Sequence, residues 1–182
     1  MKDIKTIDWT IDPIHSLIQF KVKHLAISNV SGNFNDFSGT FITQDEEFNN
    51  AKIYFEINTN SVDTNNSERD IHLKSKTFFN IDKFPKIIFN GILQKLEDNF
   101  QINGDLTILS ITKPIQLQTE FLGIGVGRFN DERAGFEING KLNRKEYGLN
   151  FGLVKDAGSL IVGEEIKLHF DLQLIKQPNL QH

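Results

Sequence analysis

The sequence predicts an all-β domain, an antiparallel barrel of about eight strands with one or two short helices, on three observations. Apolar and polar residues alternate with a period of two through most of the chain. The alternating segments follow one another with turn residues, not long helices, between them, which favours an antiparallel meander over a βαβ sheet. A flat sheet of that size would leave edges and an uncovered apolar face, and closure into a barrel removes both.

Taken in chain order, Ser16-Leu17-Ile18-Gln19-Phe20-Lys21-Val22-Lys23 places Ile18, Phe20 and Val22 on one face and Gln19, Lys21 and Lys23 on the other. That is a strand with one dry and one wet side. A weaker strand reads over 31–43, and Lys52-Ile53-Tyr54-Phe55-Glu56-Ile57 alternates again. Ser67-Glu68-Arg69-Asp70 has the S-x-x-[DE] spacing of a capping box. It predicts a short helix ending near Ser75, with Arg69, His72 and Lys76 on one side. Strands then read at 86–96, 100–110 and 114–123, followed by Phe136 to Leu142 and a single helical turn near Arg144 to Tyr147. The longest alternation closes the chain: Ile166, Leu168, Phe170, Leu172 and Leu174, interleaved with Lys167, His169, Asp171 and Gln173.

Between these segments Asn49-Asn50, Glu97-Asp98-Asn99, Asn103-Gly104 and Asn130-Asp131 read as turn or strand-end signals. Gly123, Gly125 and Gly127 read as a flexible or bulged inter-strand segment; no helix follows them, so they are not a phosphate loop. One domain is expected over 1–176, with a polar tail at 177–182, Pro178 included, that frays.

Composition narrows the function. The 182 residues are 38% hydrophobic and 24% charged, which excludes a disordered tail or a collagen-like rod. Cysteine is absent, so disulfide scaffolds, Cys-ligated zinc, iron–sulfur clusters and thiol catalysis are excluded. A net charge of -4 argues against nucleic acid as partner. No apolar run approaches the ~18 residues of a membrane helix, and no signal-like stretch opens the chain, so a cytoplasmic location is expected.

Sixteen Phe stand against one Trp, two Tyr and one Met. Phe has no polar handle, so this count means either a heavily aromatic core or a lined apolar cavity. The strand period turns Phe20, Val22, Phe41, Phe55, Ile57, Phe89, Leu106, Ile108, Leu117, Phe121, Phe136, Ile138, Phe170 and Leu172 inward. A barrel of this size is either filled by its own side chains or holds one small ligand, and periodicity alone leaves both open.

The polar residues with chemical capacity are His15, Arg69, Asp70 and His72, with Ser75 and His24 near them in the sequence. Asp70 orienting a histidine as general base would make an acid–base site for a lipid-like substrate. No G-x-S-x-G or H-E-x-x-H motif supports it, and a charge-assisted clamp tying the helix to the barrel uses the same residues. No catalytic residue is therefore assigned. His15, His24, His72 and His169 lack the short spacing of a dedicated metal site, and none is assigned there either. A barrel face serving as a module for another protein is the third reading.

Three separated blocks carry a resemblance. Trp9-Thr10-Ile11-Asp12-Pro13-Ile14-His15-Ser16 with Val22-Lys23-His24 and Val30-Ser31-Gly32-Asn33-Phe34 is similar to the opening of the YceI-like, polyisoprenoid-binding protein family. Arg69-Asp70-Ile71-His72-Leu73-Lys74-Ser75, with Phe78-Phe79-Asn80 and Phe84-Pro85, resembles that family's central signature. Gly104 to Ile115, then Gly140, Arg144, Tyr147 and Gly148, resemble its later blocks, with Ser110-Ile111 and Asn80 as small departures. The resemblance implies an extended lipocalin-like barrel and a long isoprenoid or similar amphiphilic lipid, such as a quinone, in its apolar tunnel. It implies transport, storage or stress-related lipid handling, a homodimer, and no cofactor beyond the bound lipid. The lining would be Phe20, Val22, Phe41, Phe55, Phe89, Leu106, Ile108, Phe121, Phe136, Ile138, Phe170 and Leu172. His15, Arg69, Asp70 and His72 would then form a structural clamp or the head-group end.

Overall fold

A computed structural model describes residues 5–150 and 162–178. Eleven strands form one sheet: β1 (Ile7–Ile11), β2 (Leu17–His24), β3 (Ser28–Phe34), β4 (Phe37–Thr43), β5 (Ala51–Asn58), β6 (Val62–Asp63), β7 (Lys86–Lys95), β8 (Phe100–Ile108), β9 (Ile111–Val126), β10 (Glu132–Asn143) and β11 (Val162–Lys176). One α-helix, α1 (Ser67–Lys74), lies between β6 and β7, and single 3-10 turns occupy Pro13–His15, Thr59–Ser61 and Arg144–Tyr147.

Closure follows from the length of β11. Its 15 residues run the full height of the barrel. One edge pairs with β10 from Glu165 to Ile175, and the other edge forks, with Val162 to Asp171 facing β2 and Leu174 to Lys176 facing β1. The β1 pairing closes a ring of β1, β4, β5 and β7 to β11, with β2, β3 and β6 as a branch. All pairings are antiparallel.

The expected single strand over 31–43 is two strands. The chain breaks at Asn35-Asp36, because β3 pairs with β2 and β6 while β4 pairs with β1 and β5. Strand β1 went unread in the sequence: Ile7, Trp9 and Ile11 alternate, but over too few residues to stand out. Asn103-Gly104 is not a turn. It lies inside β8, where Gly104 faces Gly91 of β7, and the Phe89 ring fills the space that side chains would take. Gly123 adopts φ 116 at a register shift between Gly135 and Phe136, so the glycine segment is a bulge inside the long β9–β10 pair. Gln177 is not loose; its N–H donates to the Asp8 carbonyl at 2.7 Å and its side-chain amide to Thr10 Oγ1 at 2.6 Å. The rest of the expected tail, beyond 178, lies outside the described residues.

Helix α1 starts one residue earlier than the capping-box reading placed it. Asn66 is the cap, its side chain accepting from the Arg69 N–H at 2.9 Å. Asp70 is thereby released to accept from the Thr64 N–H at 2.9 Å and the Thr64 hydroxyl at 2.5 Å. Ser75 ends the helix, so Lys76 falls beyond it. No residue of α1 is fully buried, as suits a short helix laid over a barrel edge. Its anchor is aromatic: Phe79 packs on Phe34 at 5.9 Å and Phe34 on Phe20 at 5.5 Å between ring centroids.

The core is thickest at the β1 end. Phe48, from the loop between β4 and β5, inserts with no exposure and packs at tilted or edge-on angles against Trp9 at 5.0 Å, Phe121 at 5.4 Å and Phe136 at 5.1 Å. Phe41 and Phe100 extend the cluster through Phe136 and Phe121. This aromatic plug shuts one end of the barrel.

Candidate functional site

Below the plug the barrel is hollow. A cavity of about 600 Å³ runs between the strands, within the range of about 300–1,000 Å³ usual for ligand sites. Its wall is overwhelmingly apolar. Ten of the residues expected to point inward reach it: Phe20 and Val22 on β2, Phe41 on β4, Phe55 on β5, Phe89 on β7, Leu106 and Ile108 on β8, Ile138 on β10, and Phe170 and Leu172 on β11. Ile57 and Leu117 reach it too. Several of these, including Phe20, Phe55, Leu106 and Phe170, are only half-buried although they point inward. They keep accessible surface because they face a void.

Phe121 and Phe136 do not line the cavity, contrary to the sequence expectation. Both belong to the plug, their rings 5.0 Å apart. The period of two gives the face of the strand but not the height along the barrel axis, and these two strands carry them to the packed end. Further wall residues are Ile53 on β5 and, from elements whose alternation is short or irregular, Phe34 on β3 and Leu73, Phe78 and Phe79 in and after α1.

The polar lining residues gather at the opposite end. They are Lys23 and His24 at the end of β2, Thr64, Arg69 and His72 at α1, and Arg144 after β10, with Gln19 further along β2. Among the described residues none that lines the cavity is acidic. Arg69 is held by Thr64, Nε donating to the hydroxyl at 2.8 Å and Nη2 to the carbonyl at 2.7 Å. Thr64 thus links Asp70 and Arg69 at the start of the helix.

Arg144 is the least expected member. It is 1% exposed, and among the described residues no carboxylate pairs with it. Its guanidinium donates to the backbone carbonyls of Gly163 at 2.8 Å, Leu149 at 2.5 Å and Val162 at 3.2 Å. Burial pushes its pKa down and the Glu164 carboxylate opposes this. The 3-10 turn that carries it is capped by Asn143 and ended by Gly148 at φ 76, a left-handed position where glycine carries no Cβ penalty. No strand or helix period marks a buried arginine of this kind; only its place in a short turn between two long strands hints at it.

His15 does not join Arg69, Asp70 and His72. It sits outside the barrel beside the β1 end, where the carboxylate of Asp12 collects three donors: the Ile14 N–H at 3.0 Å, His15 Nδ1 at 2.7 Å and Arg133 Nη1 at 2.7 Å. Burial pushes the Asp12 pKa up, but the bonds from His15 and Arg133 outweigh it and hold the carboxyl at about 2. Arg133 also bonds Asp131 at 2.6 Å and Gln173 at 2.6 Å. The Asp-Pro-Ile-His turn therefore ties β1, β10 and β11 together at the point where β11 forks. The acid–base grouping of His15 with Asp70 or His72 is not assembled. Among the described residues no three His, Asp or Glu side chains come together as metal ligands.

Residues 9–174 match the family model of the YceI-like domain. Protein YceI of Salmonella newport is 37% identical over 164 residues, 90% of this chain and 83% of that protein. The solved YCEI protein of Campylobacter jejuni superposes with a TM-score of 0.72 at 30% identity, covering 87% of this chain and 91% of the other. A polyisoprenoid-binding domain from Saccharophagus degradans, at 14% identity, shares the fold with a TM-score of 0.68 over 93% of this chain and 98% of that one.

Proposed function

Because this chain belongs to the YceI-like family, we propose that it is a non-enzymatic carrier whose barrel takes up the apolar chain of a long isoprenoid, such as a quinone side chain, or of a similar amphiphilic lipid. The observation that carries this reading is the cavity of about 600 Å³ with an almost wholly apolar wall and its polar residues, Gln19 apart, gathered at one end. Such a space favours a hydrocarbon tail, at about 0.8 kcal/mol per buried methylene less the cost of ordering the chain. The asymmetry of the ends orients it. The tail points at the plug of Phe48, Phe121 and Phe136, and the head group lies near Lys23, His24, Arg69, His72 and Arg144. The domain from Saccharophagus degradans, described as polyisoprenoid-binding, supports the chemistry by its shared fold. No cofactor enters this reading; the bound lipid is the cargo, held for transport or storage.

Organic extraction of the purified protein followed by mass spectrometry should release a long-chain lipid. The fluorescence of cis-parinaric acid should rise saturably as it displaces that lipid. Leu168→Trp, on the cavity wall, should reduce probe uptake without lowering the melting temperature much, since it fills empty space. Protein from hosts of different lipid content that releases nothing and takes up no probe would end the proposal.

A further inference from the structure

Two features beside the polar end of the cavity work against the sheet that bears them. The first is the β2–β3 hairpin, closed by the Ile27 N–H on the His24 carbonyl at 3.2 Å. Leu25 and Ala26 at its centre both adopt left-handed backbone, at φ 53 and 59. A tight hairpin of that shape favours Asn-Gly, because a Cβ is crowded at positive φ. Here the two positions are apolar, and the next residue, Ile27, is 84% exposed. The second feature is a row of lysines on the outer face. Lys21 of β2 lies directly opposite Lys167 of β11, and Lys167 directly opposite Lys141 of β10. Strand spacing sets such neighbours about 5 Å apart, where like charges oppose pairing. Glu165 meets Lys141 at 3.3 Å, but no ion pair among the described residues involves Lys21, Lys23 or Lys167. This concentration of cations without an ion partner among the described residues stands in a chain of net charge -4. Lys23 and His24 line the cavity as well, so the lysine row, the hairpin tip and the cavity end are continuous. Where local rules are broken side by side with no compensation among the described residues, function is the usual reason.

We propose that this end of the barrel docks on an anionic lipid bilayer, with Ile27 entering the head-group layer and Lys21, Lys23 and Lys167 meeting the lipid phosphates. The inference rests on the carrier reading above and deepens it, since a cargo too apolar for water can then pass directly between bilayer and cavity. A bilayer fits better than an acidic protein. The apolar part is a hairpin tip, far short of the about 800 Å² per partner of a stable protein interface. A small apolar anchor joined to a cluster of lysines is instead the usual pair of signals for a membrane surface. The opposite end also exposes apolar side chains, Val126 at 70% and Phe129 at 82%. There Arg133 is paired with Asp12 and Asp131 and Lys176 with Glu46 and Glu132, Arg128 lies over the Phe129 ring, and the aromatic plug separates that hairpin from the cavity.

The test is flotation of the full chain with vesicles of phosphatidylcholine alone and of phosphatidylcholine with phosphatidylglycerol, alongside cis-parinaric acid uptake in solution. The unmodified protein should float with the anionic vesicles, less with the neutral ones, and progressively less as salt shortens the reach of the charges. Ile27→Asp and the double variant Lys21→Glu, Lys167→Glu should each weaken flotation at least about tenfold, given about 1 kcal/mol per cation near an anionic surface. Neither variant touches the cavity wall, so both should take up the probe like the unmodified protein. Phe129→Asp, at the far end, should float normally. Flotation unchanged in the variants, or lost in Phe129→Asp instead, overturns the assignment. Probe uptake without flotation by the unmodified protein also overturns it, and turns the lysine row toward an acidic protein, while the carrier reading stands. Flotation without probe uptake overturns the carrier reading alone.

Discussion

Replacing Asp12 with Asn tests the junction that closes the barrel. Asp12 is 7% exposed, and its carboxylate holds Arg133 at 2.7 Å and His15 at 2.7 Å. Its pKa falls from 3.8 to about 2, and each unit of such a shift is about 1.4 kcal/mol, which sets the stabilisation at about 2 kcal/mol. The sign follows from the depressed value. The folded protein prefers the charged form, so the stabilisation is complete above the ordinary 3.8 and disappears as the pH falls through about 2. Asp12→Asn keeps a side-chain acceptor for the Ile14 N–H but presents no charge to Arg133. Near neutral pH it should lose about 2 kcal/mol, a fall in melting temperature of roughly 4–8 °C for a chain of this size. Melting curves of the two proteins, followed by circular dichroism from neutral pH downward, should converge as the carboxyl of the unmodified protein takes up its proton. Equal melting temperatures near neutral pH, or a gap that stays constant into acid, would refute the argument that this carboxylate braces the fork of β11.

Phe48→Ala should cost about 3–5 kcal/mol in urea unfolding, as for other fully buried rings, and should lengthen the cavity toward the β1 end, so that extraction yields longer chains than the unmodified protein carries. Arg144→Met leaves the Leu149, Val162 and Gly163 carbonyls without their donor, and a loss of about 3 kcal/mol is expected from that many buried groups; Lys at the same position, a single-point donor in place of a fork, should recover little in the same unfolding experiment. Gly32→Val would drive a side chain into the Phe20 ring and Thr64, costing about 1–3 kcal/mol by overpacking. It should also lower the capacity for cis-parinaric acid, measured by fluorescence titration, because Phe20 has only the cavity to move into.

The strand faces were readable because burial on a pleated sheet imposes a period of two. Phe20, Phe55, Phe89, Leu106 and Phe170 could be placed inward from their neighbours alone, and all five line the cavity. The same period could not separate Phe136 from Ile138, which share a face of β10 yet serve the plug and the wall respectively. Nor could it place His15. Its spacing to Asp12 is local and predicts the hydrogen bond within the turn, whereas its distance from Asp70 depends on how far apart β1 and β6 lie in the closed sheet. The buried Arg144 was invisible for the opposite reason: its partners are backbone carbonyls, which every residue possesses and no sequence pattern marks.

Alternation, turn residues and the wealth of phenylalanine were enough to require an antiparallel barrel with an apolar inner wall, since each reports a preference that a residue expresses with its immediate neighbours. Whether that wall met itself across the axis or enclosed a space was set elsewhere. The forked pairing of β11, the insertion of Phe48 at one end and the gathering of cations at the other join residues far apart in the chain. Contacts of that range depend on closure of the whole sheet, which no window of consecutive residues contains.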